Sequence, residues 1–397
     1  MPRKYPVWER KLIYMVRAGS HAYGTSTPVS DIDLRGICLL DRENVYGNQR
    51  FQQYEPKKEA KKVNDIVVYG VIKFLNLAAT CNPNIIELFA IDDGNILYMD
   101  DLMERIRSKI DLFLTLKARH SFSGYAFAQL KLIERHRKYL LNPPKAPPQR
   151  SAFGLPEHRS VIGADEMNAY MWLVTQLLEQ TAAGSKLSQS TKDELDGIDW
   201  TGMVQSAQLP ENCAPVLKDL TAVSEEMIQA VMAERRYKNA MKQWQGYQEW
   251  KKNRHPERAK LEAKFGYDTK NALHLCRLMN MGIEILEGKG VIVKRPEAEW
   301  LLSILRGAMK YEELVEWAKK KDKEIIVAEA NSKLPHDPDF KKIEELQMEL
   351  VEEGLSGFDA PIGLLHDLKI LGEKYDYENP WSTVKQPKEG KKRRKRA

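Results

Sequence analysis

The sequence predicts an α+β protein, with a small mixed sheet in residues 1 to about 100 and a mostly α-helical region after it. Three observations favour this fold class. Short apolar runs of strand length occur in the first hundred residues, and helical spacing of apolar residues dominates from Leu102 onward. The chain has 397 residues, enough for two or three folding units of about 100 to 200 residues each.

The strand candidates come early in the chain. Each is a short apolar run with β-branched residues, which is typical of a buried strand. They cover residues 12–16, 32–40 and 65–69. The third run leads directly into a stretch with helical spacing, 71–79, and a shorter helical segment, 85–90, follows the break at Asn82-Pro83-Asn84.

The remainder is predicted to be helical with interruptions. Long segments with helical spacing lie near 102–141, 164–183, 216–252, 256–287, 296–320 and 339–353. The proline-rich stretch 142–148 cannot be helical and is predicted to be a loop or hinge. The Gly-, Ser-, Gln- and Pro-rich stretch 183–215 is predicted to be an irregular insertion. We therefore expect a sheet domain in 1–100, a helical domain in 101–375 and a tail in 376–397.

The net charge of +6 is concentrated at the C-terminus. Residues 388–397 contain seven Lys or Arg and one Glu, and 7 − 1 = +6, so the preceding chain sums to zero. Such a run repels itself and is predicted to be disordered. It can add salt-sensitive affinity for nucleic acid or another polyanion, or act only as a solvated tail that aids solubility. Both interpretations stay open at this point.

Several classes of protein are disfavoured by composition. No apolar run reaches the roughly 18 residues that span a membrane, and the first residues lack the apolar stretch of a signal peptide. We expect a soluble cytoplasmic protein without a membrane partner. The four cysteines, Cys38, Cys81, Cys213 and Cys276, lie far apart, so neither a zinc site nor a disulfide framework is predicted.

The candidate chemistry lies between the first two strands. A strand ends at Gly19-Ser20, ten residues follow, and the next strand is predicted to begin with Asp31-Ile32-Asp33. Side chains alternate along a strand, so the two aspartates should share a face, with α-carbons about 6 to 7 Å apart. Two acids on an apolar strand repel each other unless a cation lies between them, which predicts bound Mg²⁺ or Mn²⁺. Gly19 would let the backbone approach a phosphate, and the Ser20 hydroxyl would donate to it.

This motif resembles the signature of the DNA polymerase beta nucleotidyltransferase superfamily. Its longer form, Gly-Ser-His-Ala-Tyr-Gly-Thr followed by Ser-Asp-Ile-Asp-Leu-Arg-Gly, is similar to the RlaP-type predicted nucleotidyltransferases of bacteria and phages. Residues 65–88 and 253–282 are also similar, and with Leu334-Pro335 the resemblance spans roughly residues 11 to 345. It implies a polymerase beta-like palm. It also implies transfer of a nucleoside monophosphate from a triphosphate such as ATP to a hydroxyl acceptor, a reaction of the EC 2.7.7 type that releases pyrophosphate.

The superfamily also uses a third carboxylate on a neighbouring strand. Asp65, at the head of the third apolar run, is the best-placed candidate for a third metal ligand and for the base that accepts the acceptor's proton. Asp92 and Asp93 compete for this role, but they follow a helical segment. The predicted catalytic and metal-binding set is therefore Asp31, Asp33 and Asp65.

Cationic side chains are candidates for nucleotide binding. Lys270, His274 and Arg277 follow at i, i+4 and i+7, so they share one face of a predicted helix. This stripe can hold the triphosphate or the acceptor, or it can dock the helix onto acidic residues of the first domain. His21 can contact the nucleotide or pack the loop, and Lys73 can bind phosphate or be a surface lysine. The candidates for nucleotide binding are therefore Gly19, Ser20, His21, Lys73, Lys270, His274 and Arg277.

The acceptor is not specified by these residues. An RNA or tRNA end is the first choice because of the basic tail and the helical region, and a protein hydroxyl or a small molecule comes next. A non-catalytic nucleic-acid-binding module with the same fold is the alternative of a different class. Trp244, Tyr247 and Trp250 lie among Arg and Lys, where they can stack on single-stranded bases or pack the helix.

Overall fold

The computed structural model of the protein describes residues 6–28, 30–48, 50–56, 65–157, 225–254 and 256–361. Its strands are β1 (Leu12–Ala18), β2 (Asp33–Cys38), β3 (Gln53–Tyr54), β4 (Asp65–Gly70) and β5 (Ile96–Met99). Its helices, numbered over the same residues, are α1 (Val7–Arg10), α2 (Gly19–Tyr23), α3 (Arg42–Tyr46), α4 (Val71–Ala79), α5 (Pro83–Ile86), α6 (Asp101–Arg107), α7 (Lys117–Leu141), α8 (Glu225–Asn253), α9 (Pro256–Phe265), α10 (Thr269–Leu286), α11 (Ala298–Leu305), α12 (Tyr311–Asn331) and α13 (Phe340–Leu355).

The five strands form one mixed sheet in the order β3-β4-β2-β1-β5. Only β2 and β4 run parallel; β1 pairs with β2 and β5, and β3 with β4, in the antiparallel direction. The mixed sheet followed by helices confirms the α+β prediction. Residues 12–16 of β1 are fully buried, as expected for a central strand that is covered on both faces.

Two strands were not predicted from sequence. β3 is only two residues long, which is too short for a periodic pattern. β5 lies at the edge of the sheet, and all four of its residues are half-buried, so its burial does not alternate. The second predicted strand is also shorter than expected: β2 begins at Asp33, so Asp31 lies outside the sheet.

Three of the long predicted helices are divided. The 102–141 segment forms α6 and α7 with a single 3₁₀ turn, Ile110–Leu112, between them. Gly266 (φ 78°) separates α9 from α10, and Gly307 (φ 85°) lies between α11 and α12. A left-handed glycine ends a helix without the steric penalty of a β-carbon. Helical spacing continues across such a break, so the pattern alone did not show it.

The contacts divide the chain into two compact units. One consists of Met1–Arg137 with Lys260–Ala397, and the other of Lys138–Ala259. The sheet and helices α10 to α13 therefore belong to one unit. The domain boundaries near residues 100 and 375 stay predictions from the sequence. The predicted segments 164–183 and 183–215 and the tail 376–397 lie outside the described residues.

The described part of the chain has no helix that is both long and apolar enough to cross a membrane. Cys38, Cys81 and Cys276 are buried free thiols, and Cys213 is not among the described residues. The core of the first unit includes residues of β1, β2 and β4 together with apolar residues of α4, α7 and α10.

Candidate active site

Two of the three predicted carboxylates lie side by side. Asp33 is the first residue of β2 and Asp65 the first of β4, and they are direct partners in the parallel ladder. Paired residues point to the same face of neighbouring strands, which are about 4.8 Å apart. The Asp33 side chain is 32% exposed and that of Asp65 58%. The structure therefore brings together two acids that are 32 residues apart in sequence.

Asp31 has a different environment from the one predicted. It is exposed, two residues before β2, and it makes no hydrogen bond or ion pair among the described residues. The alternation rule that placed it beside Asp33 applies only within a strand. In the part of the chain that is described, the only three potential ligands within 4.8 Å of one another are His136, Glu262 and Asp268, so Asp31, Asp33 and Asp65 do not form so tight a group.

Arg35 contacts both paired acids, and it was not among the residues predicted from sequence. Its Nη2 lies 3.2 Å from Asp65 Oδ2 and 3.9 Å from Asp33 Oδ1. Its Nη1 donates to the Asp65 carbonyl oxygen at 2.7 Å and to that of Leu34 at 2.8 Å. Because Arg35 lies two residues after Asp33 on the same strand, the alternation of side chains could have placed it on this face.

The Asp33 carboxyl is held in an unfavourable environment for a negative charge. Burial raises its pKa above the ordinary value, and the neighbouring Asp65 raises it further, whereas the charges of Arg35 and Lys270 lower it. Burial outweighs the cations because it removes water that would otherwise stabilise the ionised form. The net shift of the pKa is upward, so ionisation of Asp33 is less favourable here than in water.

The turn after β1 packs directly against this carboxylate. Gly19 begins α2 with φ 61°, and a β-carbon built on it would lie 2.1 Å from Asp33 Oδ2. A glycine is required here both for its left-handed conformation and for its missing side chain. The first amides of a helix have no carbonyl partner within the helix. The amides at the start of α2 are therefore potential donors to an anion, and Gly19 lies against Asp33.

His21 and Lys73 are placed in contrasting ways. The Nε2 atom of His21 is buried and has no hydrogen-bond partner among the described residues. Lys73, on α4, donates from Nζ to Gln53 Oε1 at 2.8 Å, so its ammonium is bound to a neighbouring strand of the sheet. Both residues are on elements adjoining the site, but only the Lys73 side chain is tied to a protein acceptor in this arrangement.

Helix α10 contributes charges to this unit from more than 200 residues further along the chain. Lys270, in its first turn, is exposed, and its charge lowers the pKa of Asp33. His274, one turn later, is half-buried. The side chain of Asp268 caps this helix by accepting from the Asn271 amide at 3.0 Å.

Arg277 is buried and binds protein groups. It is 3% exposed, its Nη1 lies 3.2 Å from Glu87 Oε2, and its guanidinium carbon lies 3.7 Å from the centre of the Tyr23 ring. The Tyr23 hydroxyl donates to the Glu87 carboxylate, with 2.8 Å to each oxygen. Arg277 was a candidate either for binding the ligand or for docking its helix onto acidic residues of the first domain. Its contacts with Glu87 and with Tyr23 of α2 favour the docking role.

The comparison with protein families agrees with the sequence motif. Residues 2–141 match the family model RlaP, described as RNA repair pathway DNA polymerase beta family. The match includes the sheet, Gly19, Asp33 and Asp65 but not helix α10, and it confirms the resemblance to RlaP-type nucleotidyltransferases over this range. No curated protein and no solved structure matches the chain significantly.

Proposed function

We propose that this protein is a metal-dependent nucleotidyltransferase that moves a nucleoside monophosphate from a nucleoside triphosphate to a hydroxyl at an RNA or tRNA end. One observation carries the proposal: Asp33 and Asp65 are paired in register beside the Gly19 turn, in a domain that matches a polymerase beta family. The remaining residues of the site fit the same reaction.

The carboxylates suit a divalent cation. Mg²⁺ and Mn²⁺ prefer hard oxygen ligands and commonly bind substrate phosphates as well. Burial makes the ionised form of Asp33 unfavourable and raises its pKa, and a bound cation would offset that cost. Asp33 and Asp65 would hold the metal, and Asp31 is the candidate for a third ligand. When bound, the metal neutralises charge on the phosphates and makes an attacking hydroxyl more acidic.

The protein groups would bind and orient the triphosphate. The amides of Gly19 and Ser20, at the start of α2, and the Ser20 hydroxyl would donate to its phosphate oxygens. The charge of Lys270 lowers the pKa of Asp33, and it would also attract the triphosphate. His21 and His274 are further candidates for contacts with the nucleotide, and Lys73 would have to leave Gln53 to take part.

The chemical step is an in-line displacement. The acceptor oxygen forms a bond to the α-phosphorus, and the bond from that phosphorus to the bridging oxygen breaks, which releases pyrophosphate. Asp65 is the more exposed of the two paired acids and is the candidate that accepts the hydroxyl proton. An RNA acceptor is supported by the family description, which concerns RNA repair, and by the basic tail in residues 388–397.

The test uses triphosphates labelled at the α-phosphate. The protein is incubated with each one and with Mg²⁺ or Mn²⁺, in the presence of RNA ending in a free 3′-hydroxyl or in a blocked 3′ end. We expect label to enter only the unblocked RNA. Asp33→Asn should reduce transfer by about 10²-fold or more, because charge stabilisation at a reacting phosphate contributes on this order.

The control is Asp111→Asn, which changes an exposed acid outside the site and should transfer at the wild-type rate. Label that enters the protein itself would instead indicate a protein hydroxyl as acceptor. Near-normal transfer by Asp33→Asn would contradict the proposed site. Triphosphate binding without transfer to any acceptor would support the non-catalytic module.

A further inference from the structure

Helix α8 has a long stretch without a buried face. Its residues 231–234 are buried, but none of the side chains in 235–253 is. Four aromatic residues lie in this stretch and are only partly covered: Tyr237, Trp244, Tyr247 and Trp250. Helices in proteins are stabilised mainly by burying an apolar face. A helix that leaves several large rings partly exposed has a surface suited to a binding partner.

Three of the aromatic rings form one surface. Trp244, Tyr247 and Trp250 follow at i, i+3 and i+6, so they share a side of the helix. Ring centres lie 6.1 Å apart between Trp244 and Tyr247 and 5.9 Å apart between Tyr247 and Trp250. The guanidinium carbon of Arg254 lies 4.5 Å from the centre of the Trp250 ring. We call these four residues the α8 aromatic face.

The face is held in place from one side. Tyr139, near the end of α7, packs against Tyr247 and Trp250 with ring centres 5.4 and 5.6 Å away. Its hydroxyl donates to the Gln243 carbonyl oxygen at 3.4 Å. Rings that are already ordered lose less conformational entropy when a flat ligand stacks on them, so the arrangement favours stacking.

The same stretch is strongly basic. Residues 235–254 contain seven Lys or Arg and a single Glu, so 7 − 1 = +6. The net charge of residues 1–387 is zero. The positive charge of 235–254 is therefore concentrated in this stretch, and acidic residues elsewhere in 1–387 offset it. The basic residues are Arg235, Arg236, Lys238, Lys242, Lys251, Lys252 and Arg254. The partner that matches this surface is therefore an anion with flat apolar parts.

We infer that the α8 aromatic face binds single-stranded nucleic acid, with bases stacked on Trp244, Tyr247 and Trp250 and phosphates held by the surrounding Lys and Arg. Stacking on aromatic side chains requires unpaired bases, which a duplex keeps inside its own stack. A second copy of the chain is disfavoured because two such basic helices repel each other. The choice of RNA over DNA rests on the proposed function, whereas the stacking surface does not.

The test measures binding by fluorescence anisotropy. The full chain is titrated into a labelled single-stranded RNA of about twelve nucleotides and, separately, into DNA of the same sequence and into an RNA duplex. We expect the single strands to bind more tightly than the duplex. Trp244→Ala should weaken single-strand binding at least about fivefold, the loss expected for one stacked base. Because no charge is removed, the dependence of affinity on salt should remain the same.

The matched control is Tyr46→Ala, which removes an aromatic ring that is 66% exposed on α3. It should bind RNA as the wild type does. A second measurement locates the contact: RNA containing 4-thiouridine is photocrosslinked to the protein and the modified peptides are identified. Crosslinks within 237–254 support the inference. Crosslinks confined to the basic tail, or equal affinities of Trp244→Ala and wild type, would overturn it.

The outcome can be separated from that of the proposed function. Asp33→Asn lies outside α8 and should bind RNA as the wild type does, even though its transfer is reduced about 10²-fold or more. If RNA binds through α8 while the wild type never transfers a nucleotide, the inference stands and the proposed function fails. If transfer occurs but binding does not depend on Trp244, the proposed function stands and the inference fails.

Discussion

The Asp33 carboxylate occupies the space that a side chain on Gly19 would need. A β-carbon at Gly19 would lie 2.1 Å from Asp33 Oδ2, well inside van der Waals contact. The phosphate-binding turn and the metal-binding strand of the proposed site are therefore fitted to each other. A change at either residue should disturb both.

Gly19→Ala should lower the free energy of unfolding and abolish nucleotidyl transfer. Alanine at φ 61° costs about 1 to 2 kcal/mol, and the collision with Asp33 adds to this. Urea unfolding of Gly19→Ala is compared with that of Gly288→Ala. The comparison separates the conformational cost of alanine from the cost of the collision with Asp33. Gly288 has φ 76°, and a β-carbon added there would meet no atom within 4 Å, so its variant carries only the conformational cost. Equal losses in the two variants would show that the contact with Asp33 is unimportant.

Asp33→Asn should stabilise the metal-free protein at pH 7. The pKa of Asp33 is raised in the folded state, so that state binds the proton more tightly than the unfolded chain does. The ionised carboxyl therefore costs stability once the pH rises from the ordinary value of 3.8 past the raised one. We expect the thermal midpoint to rise by about 1 to 3 °C at pH 7, with no difference near pH 3.

The same variant tests metal binding. Millimolar Mg²⁺ should raise the thermal midpoint of the wild type, because an ion that binds only the folded state stabilises it. Asp33→Asn should lose most of this gain. A midpoint that responds equally to Mg²⁺ in both proteins would place the ion elsewhere.

Arg35→Gln should increase affinity for Mn²⁺. The guanidinium of Arg35 lies 3.2 Å from Asp65 and 3.9 Å from Asp33, so it neutralises the charge that would attract the ion. Its removal should tighten Mn²⁺ binding roughly fivefold, the equivalent of about 1 kcal/mol for a charge pair at 4 Å in water. Calorimetric titration measures this directly. The control is Arg42→Gln, on the surface helix α3, which should bind Mn²⁺ as the wild type does. A weaker affinity for Mn²⁺ in Arg35→Gln than in the wild type would contradict the prediction.

Glu87→Gln should destabilise the first unit by about 3 kcal/mol or more, because it leaves the buried charge of Arg277 without a counterion. Replacing both residues, as Glu87→Gln with Arg277→Met, should recover much of the loss, since no isolated charge remains buried. Chemical denaturation measures both effects. Glu104→Gln, an exposed change on α6, provides the control. If the double variant were as unstable as the sum of the two single ones, the ion pair would not be the cause.

The strands that position Asp33 and Asp65 could be predicted from local patterns. The apolar run in β1, the start of β4 at Asp65 and the helical spacing of 71–79 all correspond to elements in the structure. Strand periodicity depends on neighbouring residues, so it can be identified without the fold. For the same reason Asp31 was misplaced: periodicity cannot show where a strand begins.

By itself, the sequence determined the α+β class, the resemblance of residues 2–141 to the RlaP family and the residues that can carry charge at the candidate site. The tertiary structure alone decided which of these residues meet. Asp65 reaches Asp33 through a parallel ladder, and Arg277 reaches Glu87 across 190 positions of the chain. Such contacts follow from strand order and helix packing, which are set by burial of the whole core and leave no local pattern in the sequence.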